Sequence, residues 1–196
     1  MSNLHEYFLL FMSAAIVNNY VLTRFLGLCI FFGVSKSVNS SMSMGMAIVS
    51  VMSISSIMTW TINHFILVPF HLSFLRTIVF VIVIASFVQL LEIVVKRFLP
   101  NLHKVWGIYL LLVATNCIVL GVPLINAEED FNFVKSVVNA VGSGVGFSVA
   151  LILMASVRER MEYAKIPKAM RGLGSTFIIA GMLALAFQGF SGMIPK

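Results

Sequence analysis

The chain has 196 residues, of which 60% are hydrophobic and only 10% charged, with a mean hydropathy of +1.03. A soluble domain of this length cannot hide so much apolar surface, so lipid is the expected solvent for much of it. The net charge of +6 does not mark a nucleic-acid binder, because the basic residues stand in short segments between apolar runs and do not gather on one face.

Six apolar segments follow in chain order, each near the ~20 residues that cross about 30 Å of hydrocarbon. The first, Tyr7 to Val34, is longer than a crossing needs and is interrupted by polar residues; with no basic stretch ahead of it, it reads as a first span and not a cleaved leader. The others are Met44 to Phe65, Thr77 to Val95, Val105 to Ile125, Phe133 to Ala155 and Leu173 to Ile194. Runs such as Thr77 to Ile84 are continuously apolar, which argues against the alternation of a β-barrel. The expected fold is an all-α integral membrane protein of six transmembrane helices in one membrane domain.

Loops one, three and five hold nine basic residues: Lys36; Lys96, Arg97 and Lys104; Arg158, Arg160, Lys165, Lys168 and Arg171. The termini and the other two loops hold three, Arg76, Lys135 and Lys196. Basic loops stay in the cytoplasm, so both termini are expected on the outer side.

The sequence also repeats. Cys29-Ile30-Phe31-Phe32-Gly33-Val34 agrees with Cys117-Ile118-Val119-Leu120-Gly121-Val122 at four of six positions, and these are the chain's two cysteines. Arg76 at the start of the third span has a counterpart in Arg171 ahead of the sixth. Halves 1–98 and 99–196 would then each hold three spans. Three is odd, so the halves are expected to be inverted about an axis in the membrane plane.

Each cysteine lies near a polar interruption: Asn18-Asn19, followed by Thr23 and Arg24, before Cys29, and Thr115-Asn116 directly before Cys117. Asparagine and threonine inside lipid need partners, so the first and fourth helices are expected to be broken there. Inverted symmetry would bring Cys29 and Cys117 together near mid-membrane. Asn18, Asn19 and Asn116 read as structural glue before ion ligands. Arg24, inside an apolar run, is either a functional charge or a snorkelling one. Gly142 and Gly146 have the spacing of close helix packing.

The residues alone leave the cysteines open to three readings. They are small inert hydrophobes, a disulfide, or metal ligands. Four thiolates hold a [2Fe–2S] cluster and tetrahedral sulfur suits zinc, so a four-thiolate site needs two more cysteines from another chain. No catalytic constellation and no nucleotide, flavin or NAD motif is present.

The chain resembles the A subunits of Rnf complexes and, more distantly, the E subunit of the sodium-pumping Nqr oxidoreductase. The resemblance rests on Val17-Asn18-Asn19-Tyr20-Val21-Leu22, Phe25-Leu26-Gly27-Leu28-Cys29, Gly33-Val34-Ser35-Lys36 and Thr115-Asn116-Cys117. Gly142-Ser143-Gly144-Val145-Gly146, Arg158-Glu159-Arg160, Pro167, Arg171-Gly172 and Phe190-Ser191-Gly192 complete it. The chain departs from its relatives at Tyr109 to Ala114, which lacks their proline.

The resemblance implies a subunit, without an NAD site of its own, of an ion-translocating ferredoxin:NAD oxidoreductase in the bacterial inner membrane. It implies a partner subunit, similar in sequence and opposite in orientation, and further subunits carrying flavins, iron–sulfur clusters and the NAD site. It also implies that Cys29 and Cys117 supply two of the four ligands of an intramembrane [2Fe–2S] cluster. Gly27, Gly33 and Gly121 would let backbone approach that cluster, or simply pack helices. The competing expectation is an inverted-repeat transporter or channel subunit with inert cysteines and a substrate site at Asn18, Asn19 and Asn116.

Overall fold

The computed structural model describes residues 2–35, 37–69, 73–98, 113, 116–163 and 173–189. Among these residues all regular structure is helical, with no strand.

The first apolar segment folds as several pieces. Helix α1, Ser2–Met12, runs into a π-helical turn, Ser13–Val17, and stops at Asn18 and Asn19. Asn19 restarts the chain as α2, Tyr20–Arg24, by accepting the Val21 N–H on its side-chain oxygen at 3.1 Å. That helix lasts little more than a turn because Phe25 is left-handed, with φ 55°. Gly27, at φ 85°, then turns the chain into α3, Leu28–Val34.

Helix α4, Val38–Ile62, continues as a π-helical turn, Asn63–Leu67. It begins at Val38 and not at the expected Met44. Ser37 caps its start, accepting the Ser40 N–H. Its serines and threonines are tolerated in an apolar setting because their hydroxyls return to carbonyls one turn back. Ser41, Ser53, Thr59 and Thr61 bond Ser37, Val49, Ser55 and Ile57 in this way at 2.7–2.9 Å.

Helix α5 is Arg76–Phe98, α6 is Cys117–Glu128, α7 is Phe133–Glu162 and α8 is Leu173–Gln188. Among the described residues, three stretches are long and apolar enough to cross a membrane: Val38–Leu67, Arg76–Val94 and Phe133–Met161. Three shorter apolar helices accompany them, His5–Val17, Cys117–Glu128 and Gly174–Gln188. Much of the expected fourth span before Asn116 lies outside the described residues, as do Tyr109 to Leu112, Pro167 and Arg171.

Helices α4 and α7 form the central pair, and glycine lets them meet. A Cβ on Gly144 would stand 3.1 Å from the Val49 Cα, and one on Gly45 would stand 2.6 Å from the Ser148 hydroxyl. The Gly142 and Gly146 face of α7 serves a different neighbour: their absent Cβ atoms would lie 3.0 Å from the Phe11 carbonyl and 2.6 Å from that of Ala15. Around this pair Phe31, Met44, Ile48, Phe147, Leu151 and Met154 are fully buried. The outer surface of α5 instead exposes Ile78, Val81, Ile82, Leu90 and Ile93, as a lipid-facing helix does.

Candidate functional site

Two helices begin at buried caps, and each carries a cysteine in its first turn. Cys29 is the second residue of α3, after the Gly27 cap; Cys117 is the first residue of α6, after the Asn116 cap. Both are free thiols exposed at the surface of the chain.

The caps explain why the helices start there. Asn116 is extended (φ −78°, ψ 121°), and its side-chain oxygen accepts the Ile118 N–H at 3.2 Å. Gly27 caps α3 through its backbone, accepting the Phe31 N–H at 3.1 Å. The two starts abut: a Cβ on Gly27 would lie 2.9 Å from the Asn116 side-chain oxygen, 3.0 Å from the Phe147 ring and 3.6 Å from Ile118 Cβ. The caps of the two cysteine-bearing helices are thus in contact.

The other asparagines divide. Asn19 is 1% exposed and donates from Nδ2 to the Gly146 carbonyl at 2.7 Å, tying the break in the first segment to α7. Asn116 is 2% exposed, and its Nδ2 has no hydrogen-bond partner among the described residues. Asn18 is exposed and bonds only locally, to Ser13 Oγ at 3.2 Å. Arg24 is exposed, with its guanidinium 5.7 Å above the Tyr20 ring. Gly121 faces Leu26, whose methyl group would be 3.3 Å from an added Cβ, so close helix–turn packing accounts for it. No described atom lies within 4 Å of a Cβ added at Gly33.

No cluster of three or more His, Cys, Asp or Glu side chains able to hold a metal exists among the described residues. The chain therefore offers two thiols, each in the first turn of a helix.

The sequence reading did not single out a polar cluster at the far end of α6. Asn126 donates to the Ser136 carbonyl at 3.1 Å and accepts from Asn139 at 2.6 Å, and Ser56 donates to the same Ser136 carbonyl. It borders a cavity of about 150 Å³ lined by Thr59, Asn63 and Asp130 among others. Asparagine inside an apolar segment was the available signal.

The family model described as "Rnf-Nqr subunit, membrane protein" matches residues 7–194. The chain is 65% identical over 189 residues to the A subunit of the proton-translocating ferredoxin:NAD(+) oxidoreductase complex of Clostridium ljungdahlii, covering 96% of this chain and 98% of that one. It is 50% identical over 188 residues to the A subunit of the ion-translocating oxidoreductase complex of an Azoarcus species, covering 96% and 97%. It is 46% identical over 181 residues to the A subunit of the Na(+)-translocating ferredoxin:NAD(+) oxidoreductase complex of Acetobacterium woodii, covering 92% and 94%. With its apolar helices and a match along nearly its whole length, the chain is a multi-pass membrane protein that belongs to the Rnf-Nqr subunit family, alongside the A subunits of Rnf complexes.

Proposed function

We propose that this chain is the A subunit of a membrane complex that couples electron transfer between ferredoxin and NAD to ion translocation. In this reading Cys29 and Cys117 provide two of the four thiolates of an intramembrane [2Fe–2S] cluster. A homologous subunit of opposite orientation provides the other two, and further subunits bind flavin, NAD and ferredoxin. Both termini face the outer side, as the basic residues of the odd loops require.

The observation that carries the reading is the contact between the Gly27 and Asn116 caps, which sets the first turns of the two cysteine-bearing helices side by side. Two thiolates are half of a four-thiolate set. Their exposure in the single chain suits ligands that must also reach atoms held by a partner. The uncommitted Asn116 amide, beside Cys117, adds a donor of the kind that tunes sulfur ligands. When bound, such a cluster supplies a one-electron relay between carriers on the two faces. The chain's own part is to present two thiolates and hold the helix starts together, with Phe147 and Ile118 packed against the Gly27 cap. The coupling ion is not set by family membership, since one relative is named for protons and another for sodium.

The test is iron content and electron paramagnetic resonance on the chain co-expressed with its partner, prepared without oxygen. The wild-type pair should show a [2Fe–2S] signal, and Cys29→Ser and Cys117→Ser should each abolish it. Serine is at home in the first turn of a helix, so both variants should stay folded. An intact wild-type pair without iron would overturn the cluster reading in favour of a transporter with inert cysteines.

A further inference from the structure

The two cysteine-bearing helices are short, with 7 residues in α3 and 12 in α6. Helices of this length do not hold themselves in place; their neighbours must do it. Their last carbonyls also lack intrahelical donors and carry the negative end of the helix dipole. Neither helix has a basic residue in its own last turn.

Each receives one from the opposite half of the chain. Arg158, on α7 in the second half, donates from Nη1 to the Phe32 carbonyl at 2.9 Å and to Ser35 Oγ at 2.7 Å, at the end of α3 in the first half. Ser35 is completely buried. Arg76, at the start of α5 in the first half, donates from Nη1 to the Ala127 carbonyl at 3.0 Å, at the end of α6 in the second half. The starts of α3 and α6 touch, but their ends lie at opposite ends of α7: α3 ends at Arg158, and Asn126 of α6 bonds the Ser136 carbonyl. At 1.5 Å per residue, Ser136 and Arg158 are roughly 33 Å apart along the helix, close to the thickness of a hydrocarbon core. The two arginines therefore grip the pair from opposite membrane boundaries.

We propose that Arg76 and Arg158 are positioning residues for the cysteine pair. Each fixes, from the other half of the chain, the far end of one cysteine-bearing helix, and together they set the separation of Cys29 and Cys117. The proposal deepens the relay reading and rests on it for the role of the thiols; the clamp geometry belongs to this chain alone.

The two cysteines are the only ones in the sequence and both are exposed, so nitroxide labels can be placed on the native thiols. The experiment is pulsed dipolar spectroscopy on the purified, labelled full chain in lipid nanodiscs. It compares wild type with Arg76→Gln, Arg158→Gln, Arg158→Lys and Ser35→Ala. Glu6→Gln is the control, because it breaks the exposed Glu6–Lys135 ion pair (2.7 Å), which joins the starts of α1 and α7.

Loss of a hydrogen bond from a charged donor should raise the population of displaced helix roughly tenfold or more. Arg76→Gln and Arg158→Gln should thus broaden or shift the distance distribution. Arg158→Lys should recover part of it, Ser35→Ala should broaden it less, and Glu6→Gln should leave it unchanged. Wild-type distributions in the folded arginine variants would overturn the proposal, as would equal broadening by Glu6→Gln. If the arginine variants fail to fold, a wild-type distribution in Ser35→Ala overturns it. An iron-free complex would sink the relay reading and leave these distances as they are, so the two failures are distinguishable.

Discussion

Gly27 and Asn116 are in contact across the two halves of the chain: the Asn116 side-chain oxygen lies 2.9 Å from where a Cβ on Gly27 would be, and the Phe147 ring lies 3.0 Å from it. One contact thereby joins the caps of the two helices that carry the cysteines. It needs glycine for space and also for backbone, because φ at this position is 85°.

Gly27→Ala should therefore be severe. The left-handed backbone alone costs about 1–2 kcal/mol, and the new methyl group must push apart Asn116 and Phe147. The expected result is a fall in melting temperature of the detergent-solubilised chain and, on the relay reading, loss of iron from the complex. Gly33→Ala is the comparison, since among the described residues nothing lies within 4 Å of its added Cβ; its effect on the chain should stay within about 0.5 kcal/mol. Equal melting temperatures for the two variants would contradict the geometry.

Asn19 performs two tasks with one amide, accepting from Val21 N–H and donating to the Gly146 carbonyl. Serine and aspartate are comparable helix caps. Here they should differ, because a carboxylate at Asn19 would set a buried charge against the Gly146 carbonyl. Asn19→Ser should cost about 1–2 kcal/mol, with Asn19→Asp clearly worse. A thermal melt that ranked the aspartate variant as stable as the serine one would show that the Gly146 bond is unimportant.

Asn116→Asp keeps the capping oxygen while replacing the unpartnered amide nitrogen by charge. The capping bond to Ile118 N–H is kept, while burial of the new carboxylate should lower stability. If Cys117 ligates the proposed [2Fe–2S] cluster, added negative charge beside it should lower that cluster's midpoint potential by on the order of tens of millivolts. Redox titration followed by electron paramagnetic resonance measures this, and an unmoved potential would place the amide away from the sulfur ligands.

Gly146→Ala tests the seam between α7 and the first segment. Its methyl group would meet backbone, 2.6 Å from the Ala15 carbonyl, where no side-chain rotation gives relief. Overpacking of this kind costs about 1–3 kcal/mol. Gly181→Ala on α8, with nothing within 4 Å, should be neutral or stabilising by up to about 1 kcal/mol. Opposite signs in a melting comparison are the expected outcome.

Much of the architecture was legible because hydropathy and polar interruptions act locally. Asn19 and Asn116 end up as caps where the sequence placed helix breaks. The start of α4 was missed because the serines from Ser37 to Ser43 lower hydropathy; their hydroxyls can bond carbonyls of their own helix, as Ser41 does with Ser37, so such a stretch need not be a loop. Arg76 and Arg158 were counted as topology charges, and spacing paired Arg76 with Arg171. Spacing does not reveal which carbonyl a guanidinium finds. In the fold Arg76 and Arg158 play matching parts toward α6 and α3.

The lipid solvent, the helical class and the polar breaks were legible in the sequence, since composition and short-range pattern carry that information. Only the tertiary structure decided that Gly27 presses on Asn116, that Asn19 holds Gly146, and that each cysteine-bearing helix ends on an arginine from the opposite half. Those are contacts between residues far apart in the chain, set by how α4 and α7 pack, and no local pattern encodes them.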